Sequence, residues 1–102
     1  MSDYENDTDD NNAVDAANAQ EAPVAVAVLT HIVKNIVDDP DAVSISTSVG
    51  RGSKLSLDVS VGPGDLGRVI GRRGRTAQSI RTVVRAAATQ DGVDVDVEFI
   101  DD

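Results

Sequence analysis

At 102 residues the chain is sized for one domain, and its 18 acidic side chains against 9 basic ones give a net charge of −9. Cysteine is absent, which excludes disulfides, thiolate metal sites and thiol catalysis. Only 2% of the residues are aromatic, so a core must be built from Val, Ile, Leu and Ala.

Residues 1–22 hold Asp3, Glu5, Asp7, Asp9, Asp10, Asp15 and Glu21 and no Lys or Arg. Such a segment cannot bury enough apolar surface to offset chain entropy, so 1–22 reads as a disordered acidic tail ahead of a folded domain over 23–102. Its acids account for all but −2 of the net charge. The tail reads as a solubilising passenger, with a sharper alternative in which it competes with a polyanion for basic residues further on. No basic-then-apolar leader opens the chain, and "APVAVAVL" is far too short to span a bilayer. A soluble cytoplasmic protein without a membrane partner is expected.

From Pro23 to Asp39 the residues Ala25, Val28, Leu29, Ile32, Val33 and Ile36 recur at helical spacing. Pro23 suits the first turn, and Asp39-Pro40 ends the helix. His31, the lone histidine, lies on the polar face without a partner constellation, which argues against catalysis or metal binding. Residues 43–49 alternate through Val43, Ile45, Thr47 and Val49, and residues 55–61 through Leu55, Leu57, Val59 and Val61. With "GRGSK" (50–54) between them they form a hairpin.

Two overlapping glycine motifs follow. Gly62, Gly64 and Gly67 spell G-x-G-x-x-G, the dinucleotide fingerprint, while Gly71-Arg72-Arg73-Gly74 spells G-x-x-G. The first requires a long unbroken helix and further parallel strands beyond it. Here Gly71 and Gly74 interrupt the helix after two turns, and the chain ends one strand later. Gly62 and Gly64 therefore read as a strand-to-helix turn around Pro63, and Gly67 as a close helix–sheet approach.

The second motif joins two short helical patterns, 64–70 and about 76–89, the latter with Ala77, Ile80, Val83, Val84 and Ala87 inward. Asp91-Gly92 stops it, and 93–100 is a third alternating strand whose Asp94, Asp96 and Glu98 form its wet side rather than a metal site. A loop without side chains at its ends lets a sugar–phosphate backbone touch main chain, and the following helix aims unpaired N–H groups at the same place. Between Leu66 and Ala87 stand Arg68, Arg72, Arg73, Arg75, Arg81 and Arg85 with no acid, a local +6 suited to phosphate.

The α-β-β-α-α-β order and the run Val69-Ile70-Gly71-Arg72-Arg73-Gly74-Arg75-Thr76-Ala77-Gln78-Ser79-Ile80 resemble a KH domain, with Ala77 the one departure from its consensus. The helix and two strands ahead of this core place it with the type II form. More narrowly, "IVDDPDAVSI", "GDLGRVIGRRGRTAQSIRTVVRAAA" and "VDVDVEFI" resemble the small bacterial RNA-binding family KhpA. The likeness spans about residues 24–100, with the acidic tail as an extension. It implies an α+β fold, a type II KH domain in which helices cover one face of a three-stranded mixed sheet. It also implies single-stranded RNA as ligand, about four nucleotides long.

Carried over residue by residue, Gly71, Arg72, Arg73 and Gly74 clamp the RNA backbone, with Arg75 and Thr76 beside them. Val69, Ile70 and Ile80 help floor the groove, and Arg68 stands at its entrance. Arg81 and Arg85 either extend the phosphate track or are solvated charges. The family implies an RNA chaperone or post-transcriptional regulator working as a homodimer or with a KhpB-type KH protein. No catalytic residue, cofactor, metal or small-molecule substrate is expected. The alternative is a protein-interaction scaffold that keeps the KH shape and uses it for dimerisation.

Overall fold

The computed structural model describes residues 21–49, 52 and 54–100. The expected disorder of the acidic tail falls outside the described residues for positions 1–20, as do parts of the 50–54 turn.

Helix α1 spans Pro23–Ile36 and buries Ala25, Leu29 and Val33, one residue per turn along a single stripe. Ala22, assigned to the tail from sequence, is fully buried and packs with them. Val28, Ile32 and Ile36 flank the stripe as partly buried residues. A 3₁₀ turn at Pro40–Ala42 leads into β1, Ser44–Val49, which pairs antiparallel with β2, Leu55–Ser60. Helix α2 is Leu66–Ile70, a 3₁₀ turn covers Arg72–Gly74, and α3 runs Arg75–Asp91. Strand β3, Val95–Phe99, lies parallel to β2, giving the sheet order β1-β2-β3. This is the α+β, α-β-β-α-α-β arrangement with a mixed sheet that the KH resemblance implies.

Strand alternation gives the sheet one face toward the helices. Ile45, Val59 and Phe99 share one cross-strand row, and Thr47, Leu57 and Val97 the next. Leu57, Val59, Val95 and Val97 are buried, and they meet Leu29, Val33, Val69, Ile80 and Val84 from the helices. The opposite face carries Ser46, Asp58 and Glu98 in one row and Ser48, Ser56 and Asp96 in another.

Three expectations from the sequence are corrected. Val83 is 48% exposed, and Ala88 takes its place in the core: α3 buries Ala77, Ile80, Val84, Ala87 and Ala88, and Val83 falls outside that stripe. Val49 ends an edge strand and is 84% exposed, although its period places it on the inner face. Gly67 does not mediate a close approach, since a Cβ there would meet nothing within 4 Å. Gly62 does, its missing Cβ facing that of Ala42 at 3.2 Å.

Candidate nucleic-acid interface

The G-x-x-G segment breaks the helix. Helix α2 closes with the Gly71 N–H donating to the Gly67 carbonyl at 2.9 Å, and Gly71 then departs with φ 75° and ψ 176°. The Gly74 N–H donates to the Gly71 carbonyl at 3.2 Å, folding the four residues into a tight turn. Gly74 is left-handed at φ 73°, ψ 14°, and α3 starts at the next residue. Arg73 between them has φ 55°, the one non-glycine residue with positive φ among the described residues. Left-handed backbone in an arginine is uncommon, and such strain concentrates at binding sites.

The loop is open. Arg72, Arg73 and Arg75 are exposed and form no ion pair among the described residues. Arg72 and Arg73 are the first two residues of the 3₁₀ turn, where N–H groups have no partner within the turn itself. A Cβ at Gly74 would meet nothing within 4 Å. The structure thus brings three guanidinium groups without an ion pair among the described residues and the leading N–H groups of a 3₁₀ turn to one side-chain-poor segment, at the start of a 17-residue helix. Chemically such an arrangement is suited to an anion.

The other sequence-derived residues sit differently. Arg68 turns back toward the end of α1, with Nη2 2.9 Å from Asp38 Oδ2 and Nε 3.4 Å from Asp65 Oδ1. Its charge is already matched. Arg81 donates from Nε to the Val97 carbonyl at 3.1 Å and lies 5.5 Å from the Phe99 ring centroid. Arg85 pairs with Asp96 at 3.4 Å. Both belong to the packing of α3 against β3, and the +6 of the sequence reduces to three unmatched charges at the loop. Val69 and Ile80 are 0% and 3% exposed, so they support the site from within the core, and only Ile70 of that trio presents surface. Thr76 is partly buried, its side chain against Gly71.

Two carboxylates that sequence patterning passed over hold the frame. Asp65, 3% exposed, accepts from the Asp38 and Asp39 N–H groups at 3.1 Å each as well as pairing with Arg68. It thereby joins the exit of α1 to the start of α2, whose far end is the loop. Asp91 accepts from the Val24 and Ala25 N–H groups at 3.0 and 2.9 Å, capping α1 from 66 residues away. The sequence signal for Asp65 is faint: an acid directly before a short helix, in a turn rich in glycine.

The model of the KhpA/KhpB KH domain matches residues 26–99. The chain belongs to the KhpA/KhpB KH-domain family. Among similar members of the KhpA/KhpB family, the RNA-binding protein KhpA of Leifsonia xyli subsp. xyli is 55% identical over 75 residues, covering 72% of this chain and 93% of that protein. The RNA-binding protein KhpA of Clostridium acetobutylicum is 45% identical over 73 residues, covering 72% and 96%. That of Chlamydia trachomatis is 36% identical over 74 residues, covering 72% and 94%. These KhpA relatives are named as RNA-binding proteins and not as enzymes. Among the described residues, no cluster of His, Cys, Asp or Glu is arranged to hold a metal, and no helix is long and apolar enough to cross a membrane.

Proposed function

We propose that the chain is a non-catalytic binder of single-stranded RNA that grips the sugar–phosphate backbone at Gly71–Gly74. The observation that carries this reading is the coincidence of exposed Arg72 and Arg73, free of ion pairs among the described residues, with the leading N–H groups of a turn bounded by glycines. The names of the KhpA relatives support the same ligand class. A phosphate lying on this turn gains both guanidinium charge and main-chain donors. Phe99 is the one aromatic side chain among the described residues, and it already lies under Arg81. Base stacking therefore contributes little, and one domain reads RNA weakly and with shallow sequence preference. That profile suits a cytoplasmic RNA chaperone or post-transcriptional regulator.

Pairing with a second copy or with a KhpB-type protein belongs to the same proposal. Two weak sites joined rigidly gain by effective concentration. Val83, half-exposed on the outer side of α3, supplies an apolar contact point for it.

The double variant Arg72→Asp with Arg73→Asp reverses the loop charge and leaves both glycines in place. Titration of the full chain with a fluorescent single-stranded RNA is expected to show loss of binding, while circular dichroism stays unchanged. Binding retained at wild-type strength would overturn the clamp. Val83→Lys, measured by light scattering after size-exclusion chromatography, is expected to shift a dimer to monomer without altering the fold.

A further inference from the structure

The two glycines of the loop face different surroundings. A Cβ on Gly74 would project into open space, and its left-handed backbone is one that Asn also adopts. A Cβ on Gly71 would fall on Thr76 Oγ1, 2.6 Å from Thr76 Cβ and 3.0 Å from Thr76 N. The φ, ψ of Gly71, 75° and 176°, belong to a region that essentially only glycine occupies. Gly74 is thus open toward a ligand, whereas Gly71 is required by a contact inside the protein.

Thr76 is the second residue of α3, and its side chain reaches back across the turn to the Gly71 α-carbon. Together with the Gly74 N–H to Gly71 carbonyl bond, this contact closes a ring over residues 71–76. Arg73 sits in that ring at φ 55°, a conformation its own preferences disfavour. Something must hold it there. The exposed Arg72 and Arg73 side chains make no hydrogen bond or ion pair among the described residues, so they offer no anchor. A threonine is restricted about χ1 by its branched Cβ, which suits it to be a wedge.

We infer that Thr76 is a positioning residue: it pins Gly71 from behind and fixes the backbone shape in which Arg72 and Arg73 present their N–H groups, and it does not itself contact RNA. The affinity consequence rests on the clamp reading, while the ordering of the loop does not.

The test uses Thr76→Val, which keeps the branched shape without the hydroxyl, and Thr76→Ala, which removes the wedge, both in the full chain. Amide hydrogen exchange at Gly74, whose N–H is bonded to the Gly71 carbonyl, reports the loop, thermal unfolding reports the fold, and anisotropy with single-stranded oligouridine RNA reports binding. Thr76→Ala is expected to speed exchange at Gly74 by about tenfold and to weaken RNA binding several-fold, with the unfolding midpoint nearly unmoved. Thr76→Val is expected to match the parent in all three. Unchanged exchange in Thr76→Ala overturns the inference. So does a loss of binding in Thr76→Val with exchange unaltered, because the hydroxyl would then be touching RNA. If the parent chain binds no oligouridine RNA, the clamp reading fails and the exchange data alone decide the role of Thr76.

Discussion

Six arginines between Leu66 and Ala87 look equivalent along the chain and divide by what each meets. Arg68 and Arg85 face carboxylates, Arg81 faces a carbonyl and a ring, and Arg72, Arg73 and Arg75 face solvent. Opposite responses to the same substitution follow. Arg81→Ala is expected to cost about 1–2 kcal/mol of folding stability, from the lost hydrogen bond and cation–π contact, and to leave RNA affinity nearly unchanged. Arg73→Ala is expected to leave stability within about 0.5 kcal/mol and to weaken RNA binding. Urea unfolding and RNA titration of both variants check the division. Asp65→Ala is the most damaging single change at this scale. It leaves two backbone N–H groups without their acceptor and Arg68 short of a partner, at an expected cost of about 2–4 kcal/mol in urea unfolding. The glycines and arginines of the loop were legible from sequence because their types are unusual and close together. Asp65 was not, because its partners Asp38 and Asp39 lie more than 25 residues away.

Helix α1 is held at both ends by acids from other elements, Asp91 at its start and Asp65 beyond its end. Ala22 before it offers no side-chain cap, so the orphan N–H groups of its first turn depend on Asp91. Asp91→Ala is expected to lower stability by about 1 kcal/mol, the usual worth of an N-cap. Thermal unfolding measures it. RNA affinity is expected to stay at the parent value, because Asp91 and the loop sit at opposite ends of the 17-residue helix α3, about 25 Å apart. Periodicity located all three strands of the described residues and both long helices to within a few residues, since amphipathic spacing is a local signal. It misassigned Val83, where two adjacent valines straddle the edge of the buried stripe and only packing against α1 and the sheet selects Val84.

Across the described residues taken together, charge is sorted rather than balanced. Serines with Asp58, Asp96 and Glu98 occupy the open face of the sheet, while the unmatched arginines gather at the turn between α2 and α3. On the proposed reading, RNA is expected to avoid the first and settle on the second. With about three phosphates neutralised, the logarithm of RNA affinity is expected to fall against the logarithm of salt with a slope near −2, at about −0.7 per contact for a single strand. A slope near −4 would mean that Arg68, Arg81 and Arg85 leave their protein partners for RNA. Affinities measured from low to moderate salt distinguish the two.

Sequence alone determined the element order, the helix break at Gly71–Gly74 and the excess of positive charge around it, because periodicity, glycine and local charge are properties of neighbouring residues. Which arginines stay available, which glycine is confined, and which acids hold α1 in place were decided only by the tertiary structure. The pairings of Arg85 with Asp96, Arg81 with Val97, Arg68 with Asp38 and Asp91 with Val24 join groups 11 to 67 positions apart, and no local pattern encodes a partner at that distance.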